Sequence, residues 1–361
     1  MRIVVLGLTL SSSWGNGHAT TWRALLRAMA ARGHDTLFLE REQPWYAANR
    51  DLTDPDFCTL SFYEGIAALD RHAGALASAD AVIVGSYVPD GAEAIRAIAP
   101  HVRGTFAFYD IDTPITLRKL ASGDCDYLAP ELIPLFDLYL SFTGGPTLRR
   151  LERGLRARMA RALYCAVDPQ ANRAVDAAPR WALGYLGTYS DDRQPTVEKL
   201  LVAAAQQRPA ERFVIAGPQY PADIEWPANV DRIEHLPPAE HPRFYSSLRW
   251  TLNVTRADMI AAGWSPSVRI FEAAACGVPI ISDAWEGIGS ILRPGSELLV
   301  AYGTADVHAA LDLPPARRDA IAAAARRRTL RSHTAAMRAG ELEFHLREAA
   351  RRRQPQTDAA D

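Results

Sequence analysis

The sequence predicts an α/β protein made of two consecutive open parallel sheets. Three observations lead there. Short apolar runs, such as Arg2–Gly7, Ala81–Gly85 and Phe213–Ala216, alternate with longer stretches of helical periodicity, the pattern of parallel strands joined by crossover helices. A polar, Pro-containing stretch, Asp168–Arg180, divides that alternation into two runs. The chain has 361 residues, long for one core and comfortable for two.

The first run opens with the strand Arg2–Gly7 and a polar loop from Thr9 to His18. Thr20 or Thr21 is positioned to cap a helix to about Arg32, with Trp22, Leu25, Leu26 and Met29 on one face. Gly33 closes it and Asp35–Leu39 is the next strand. Ala81–Gly85 and Thr105–Tyr109 are further buried strands, with the helix Ala92–Ile98 between them. Asp137–Phe142 and Ala162–Ala166 complete this sheet. The second run has strands at Trp181–Leu186, Phe213–Ala216, Ile233–Leu236 and Trp250–Val254, with helices at Pro195–Gln206 and Pro242–Leu248. The expected organisation is a first domain over 1–167, a linker over 168–180, a second domain over 181–330, a helix over 331–351 and a disordered tail over 352–361. Open parallel sheets bind ligands beyond the carboxyl ends of their strands, which puts the expected ligand in a cleft between the domains.

Hydrophobic residues at 48% and charged ones at 23% describe a soluble globular chain. A net charge of −2 gives no field favouring nucleic acid or an anionic membrane. The basic clusters Arg317-Arg318, Arg326–Arg328 and Arg351–Arg353 lack interleaved aromatics and fit a solvated helix face, so no nucleic-acid partner is expected. Cys58, Cys125, Cys165 and Cys276 show no paired spacing, which indicates neither a zinc site nor a disulfide framework and fits a reducing cytoplasm. No stretch is apolar for long enough to span a bilayer.

The most informative stretch is Ser265-Pro-Ser-Val-Arg-Ile-Phe-Glu272-Ala-Ala-Ala-Cys-Gly277-Val-Pro-Ile-Ile-Ser-Asp283-Ala. Pro266 suits a first helical turn, Gly277 a stop, and Val278–Ser282 a buried strand. Glu272 is then a lone acid in a small-residue helix, where an unpaired charge is costly. Its partner is either Arg269, three residues earlier, or a ligand offering hydroxyls, such as a ribose. This stretch resembles the donor-site signature of GT-B glycosyltransferases, especially family 4 and the CgeB-like group. Arg212-Phe-Val-Ile-Ala-Gly-Pro218 resembles their strand-and-Gly element, and Leu299-Val-Ala follows at the usual distance. The resemblance covers most of 181–340. It implies two Rossmann-like domains, a last helix crossing back to the first domain, and a nucleotide-sugar donor whose ribose is held by Glu272.

In the first domain, the glycines of Gly15-Asn-Gly17-His18 allow a tight turn before a helix, where the macrodipole keeps imidazole neutral. The stretch from Gly17 to Asp35 resembles the N-terminal element of family 1 glycosyltransferases, which implies that His18 takes the acceptor's proton. The plain alternative is a packing or capping histidine. Asp110 and Asp112, at the end of another strand, fall on one side by alternation. One of them is placed to orient His18. The other readings are an Asp-X-Asp metal motif and a loop cap before Pro114, and no metal is expected.

A diphosphate needs donors. Gly187, Thr188 and Ser190 form a turn rich in N–H and hydroxyl groups, with Arg193 close by. Arg256 and Arg269 are candidates to balance the leaving group's charge, and Ser265 and Ser267 stand at a helix start. The resemblance implies that the base packs near His235 and Leu236, beside the Gly217 element. Trp14, Trp45, Tyr46 and Trp264 are candidates to stack on sugar or aglycone. Family 4 carries a second Glu where this chain has Trp264, which leaves inverting and retaining reactions both open. The expected activity is sugar transfer from a nucleotide-diphosphate sugar to a hydroxyl, or another nucleophile, of a small-molecule or glycan acceptor, with no cofactor. The alternatives are an epimerase of the same fold and a non-catalytic sugar-nucleotide binder. A dinucleotide oxidoreductase is disfavoured, since Gly7-Leu-Thr-Leu-Ser lacks the G-x-G-x-x-G fingerprint.

Overall fold

The computed structural model of the chain describes residues 1–14 and 17–353. It divides into two compact units, one formed by Met1–Ala166 together with Ala335–Asp361, the other by Val167–Thr334.

The first unit is a seven-stranded sheet: β1 (Arg2–Gly7), β2 (Asp35–Arg41), β3 (Thr59–Tyr63), β4 (Ala81–Gly85), β5 (Thr105–Asp110), β6 (Leu138–Ser141) and β7 (Ala160–Ala162). The spatial order is β3-β2-β1-β4-β5-β6-β7, and every pairing is parallel. The chain starts in the middle and builds outward in both directions, so β1 and β4 flank the point where strand order reverses. Leu6 lies opposite Val84 in register, which brings the loops after β1 and β4 side by side. Val4, Leu6, Val82, Val84, Phe106 and Phe108 are buried in its core. Their near-continuous apolar character is what a sheet covered on both faces requires.

The first helix spans His18–Ala30 with Gly17 at its N-cap. It begins two or three residues before the expected Thr caps, so His18 is its first residue rather than a residue ahead of it. The expected strand Ala162–Ala166 is instead β7, Ala160–Ala162. β3 went unforeseen because Thr59–Tyr63 buries only its last residue fully. The Gly15 and Asn16 of the expected ligand loop lie outside the described residues, as does 354–361 of the expected tail; Arg352 and Arg353 belong to the last helix, Ala335–Arg353.

The second unit repeats the plan with six strands: β8 (Leu183–Leu186), β9 (Phe213–Ala216), β10 (Val230–Ile233), β11 (Thr251–Asn253), β12 (Ile280–Ser282) and β13 (Leu299–Val300). The order β10-β9-β8-β11-β12-β13 is again all parallel, with the reversal between β8 and β11. Leu183, Tyr185, Phe213, Ile215, Trp250 and Leu252 are buried in its core. The expected strand at Ile233–Leu236 sits three residues earlier, as β10. The helical run over 194–207 contains a π turn at Glu198–Val202, and Thr304 Oγ1 donates to the Lys199 carbonyl at 2.8 Å. Residues 167–180 are irregular and bonded into this unit, with Val175 N–H donating to Ser246 Oγ and Arg180 N–H to the Ser247 carbonyl. Among the described residues no helix is long and apolar enough to cross a membrane.

Candidate functional site

In the second unit the chemistry gathers where β8 and β11 part. The helix Val268–Ala275 follows the loop after β11, with Ser267 at its N-cap and Gly277 just beyond its end at φ +77°. That positive φ is the conformation a Gly stop supplies without strain. Pro266 precedes the cap instead of occupying the first turn. Ser265 is buried, and Ser267 Oγ donates to Asn253 Oδ1 at 2.8 Å but accepts no capping bond from a backbone N–H of its helix.

Arg269 is buried and spans the strand reversal. Its Nε donates to the Leu186 carbonyl at the end of β8. Its Nη1 donates to Asn253 Oδ1 at 3.1 Å and to the Val254 carbonyl at 3.4 Å, at the end of β11. Its guanidinium also lies over the Tyr185 ring. A buried guanidinium needs such acceptors, and here they are the exposed carbonyl ends of two strands. Asn253 continues the network to Ser282 Oγ at 2.9 Å and Thr255 Oγ1 at 3.3 Å, and Thr255 in turn donates twice to Asp283 at 2.8 Å.

Glu272 therefore does not pair with Arg269. The group at ion-pair distance is His241, whose Nδ1 lies 3.5 Å from Oε2. His241 begins the short helix His241–Ser246, and its ring stands edge-on to Tyr245. The sequence offered no periodic signal for this pairing, because the two residues lie on different helices.

The turn after β8 is more occupied than its composition suggested. Gly187 N–H donates to the Ala216 carbonyl and Tyr189 N–H to the Pro218 carbonyl. Ser190 Oγ donates to Asp192. The turn lies against Gly217, at φ +141°, where any side chain would collide with the Gly187 carbonyl. Arg193 donates to the Thr188 carbonyl at 2.6 Å, while its buried Nε has no partner. Burial pulls its guanidinium below the usual value, and Arg269 and Arg256 push the same way. Arg256 caps the helix Ala257–Ala262 and approaches Asp192 at 3.6 Å. Arg269 and Arg256 thus both act on Arg193, with the Asp192 carboxylate opposing them. His235 is exposed and Leu236 half-buried in the loop after β10. Trp264, at φ +43°, packs its indole against Gly287.

In the first unit, His18 and Tyr87 meet across the reversal between β1 and β4. The His18 ring is buried and stands edge-on to Tyr87, with centroids 5.2 Å apart. Burial lowers its pKa to about 4, so the imidazole is neutral at pH 7. The Tyr87 hydroxyl donates to Asp112 Oδ2 at 3.4 Å, which links Asp112 to His18 through the tyrosine. Asp110 faces elsewhere. Its carboxylate accepts from Tyr139 OH at 2.6 Å, Thr116 Oγ1 at 2.7 Å and Asp112 N–H at 3.3 Å. Burial raises it to about 6 despite these donors. Among the described residues, no three His, Cys, Asp or Glu side chains gather as metal ligands.

One further residue escaped the sequence reading. Glu40, buried at the end of β2, accepts from Thr9 Oγ1 (3.0 Å), Leu10 N–H (2.7 Å), Ser11 N–H (2.9 Å) and Ser11 Oγ (2.6 Å). It holds the backbone and hydroxyls of residues 9–11, directly after β1. The signal was an acid closing an apolar strand after Leu37-Phe-Leu39. Beyond this loop Trp14 and Trp45 are exposed, whereas Tyr46 is buried.

Residues 193–343 match the family model described as glycosyl transferase-like. No curated protein sequence matches the chain. Solved structures align over 96% of it. Sucrose-phosphate synthase of Thermosynechococcus elongatus is 15% identical, with 99% of that chain covered and a TM-score of 0.67. Anabaena HepE in complex with UDP-glucose is 11% identical, with 100% covered and a TM-score of 0.67. The UDP-forming α,α-trehalose-phosphate synthase of Burkholderia xenovorans, in complex with glucose-6-phosphate, is 13% identical, with 100% covered and a TM-score of 0.68. The two doubly wound parallel sheets are thus those of the GT-B fold, and the glycosyl transferase-like match falls on residues 193–343, largely within the second unit.

Proposed function

We propose that this protein is a glycosyltransferase that takes a sugar from a nucleotide-diphosphate sugar and moves it to a hydroxyl of a small-molecule or glycan acceptor. The observation that carries the reading is the pair Arg269 and Glu272 on one buried helix at the strand reversal of the second unit. Arg269, with Arg193 and Arg256, supplies positive charge for a diphosphate. Glu272 supplies the acceptor oxygens that a ribose diol requires. That three solved structures of this fold carry UDP-glucose or UDP makes uridine nucleotides the first probes. His18, with Tyr87 and Asp112, serves the acceptor side, and no metal is required.

The test is release of nucleoside diphosphate from UDP-, GDP- and TDP-sugars, with and without hydroxyl acceptors and with a chelator present. Glu272→Gln is expected to weaken nucleotide binding by about tenfold or more, the scale of a lost hydrogen bond to a charged group, and to leave the fold intact. His18→Ala is expected to keep nucleotide affinity within a few-fold and to lower turnover by ~10²–10⁴, the usual contribution of a positioned general base. Because burial holds His18 near 4, the acidic limb it controls belongs near that pH and not near 6.5. Normal turnover of His18→Ala makes His18 a packing residue. Lower turnover with an unmoved acidic limb makes it a sugar-positioning residue.

A further inference from the structure

Glu272 is buried, and a carboxylate in that position needs donors. Arg269, on the same helix, donates to Leu186, Asn253 and Val254 instead. Among the described residues the group within ion-pair distance is His241, and it addresses one oxygen, Oε2, at 3.5 Å. Both partners are largely covered, with side chains 17% and 9% exposed, so solvent does little to hold the carboxylate in one rotamer. His241 is itself held at the head of its helix, edge-on to Tyr245. The Tyr245 hydroxyl, wholly buried and without a partner, lies in the same neighbourhood.

We propose that His241 is a positioning residue for the donor nucleotide: its Nδ1 fixes Oε2 of Glu272 and leaves Oε1 to accept from the ribose hydroxyls. This rests on the reading of Glu272 as the ribose ligand. It adds a specific consequence. A carboxylate held by one oxygen discriminates a ribose diol from a ribose that lacks it. Once His241 lets go, the carboxylate rotates, and the ribose must first order it. The cost falls only on nucleotides that carry the hydroxyls.

The experiment is calorimetric titration of the full chain with UDP and GDP, each against its 2′,3′-dideoxy counterpart. Wild type is expected to prefer the ribose form of its nucleotide by about tenfold or more, on the scale of a charged hydrogen bond. His241→Ala should bring that ratio to within about threefold of unity and leave dideoxy affinity unchanged. His241→Phe keeps the ring and removes the nitrogens, so it should behave like the Ala variant even if Ala proves unstable. His241→Asn, whose amide nitrogen falls near the place of Nδ1, should restore most of the ratio. A ratio that survives in both the Ala and Phe variants overturns the inference while leaving Glu272 as a ribose ligand. Equal weakening of ribose and dideoxy forms also overturns it, because a packing role predicts that pattern. Binding of neither diphosphate in either form by wild type overturns the donor reading and this inference together.

Discussion

His18 and Asp110 belong to the same unit, and burial moves them in senses that oppose each other. His18 falls from its ordinary 6.5 to about 4, so the unfolded chain takes up a proton there before the folded one does. Its contribution to stability is present above pH 6.5 and is lost as pH falls toward 4. Asp110 rises from 3.8 to about 6, so the folded chain holds the proton longer. Its contribution is present below 3.8 and is lost as pH rises through 6. The windows overlap almost completely, and each shift is worth on the order of 3 kcal/mol. In wild type the two slopes largely cancel between pH 4 and 6. Asp110→Asn should therefore leave a protein that loses stability on acidification across that range. His18→Asn should leave one that loses stability as pH rises across it. Denaturant titrations at four or five pH values would show this. Variants that both run parallel to wild type would mean that neither group is as dry as its surroundings suggest.

At the scale of elements, the second unit depends on a join between strand ends. β8 and β11 are neighbours only along the short register Thr251↔Gly184 and Leu252↔Tyr185. Beyond it, Arg269 ties the Leu186 and Val254 carbonyls and Asn253 to one guanidinium. Lysine keeps the charge but lacks the fork by which Nε and Nη1 reach acceptors on two different strand ends. Arg269→Lys is expected to destabilise the protein by roughly 1–3 kcal/mol, the cost of buried carbonyls left short of a donor, and to weaken nucleoside diphosphate binding as well. Thermal melts with and without added UDP separate the two effects, since linkage adds a ligand-dependent shift to the intrinsic one. An unchanged melting temperature with unchanged UDP shift would show that water replaces the guanidinium at no cost.

At the scale of the molecule, what the sequence made legible was periodic or local. The apolar runs Ala81–Gly85 and Phe213–Ala216 are strands to the residue, and Gly277 stops its helix as its conformational freedom suggests. What it hid was non-local: Glu40 gathering residues 9–11 after β1, His241 reaching Glu272, and the Tyr87 link to Asp112 all join residues far apart in the chain. The last helix is the largest non-local case, and there the expectation that it returns to the first domain came from the family resemblance and not from periodicity. Ala335, Ala339, Leu342, Leu346 and Ala349 are its buried stripe, at helical spacing, although its composition is rich in Arg and Glu. It completes the first unit, whose other residues all precede 167. Arg338 donates to the Tyr164 carbonyl at 3.0 Å, Arg161 pairs with Glu348 at 2.8 Å, and Arg32 pairs with Glu343 at 2.6 Å. The Arg32 side of its pair is 44% exposed, which limits the pair to about 1 kcal/mol, so the apolar stripe decides the helix's contribution. Leu346→Ala is expected to cost ~2–5 kcal/mol, as for other buried leucines, against less than about 1 kcal/mol for Glu343→Gln. A chain ending at Thr334 should keep amide protection in β8, β9, β11 and β12, which belong to the second unit, and lose it in β1, β2, β4 and β5. Full protection of those four strands in the shortened chain would show that the first sheet holds without its distant helix.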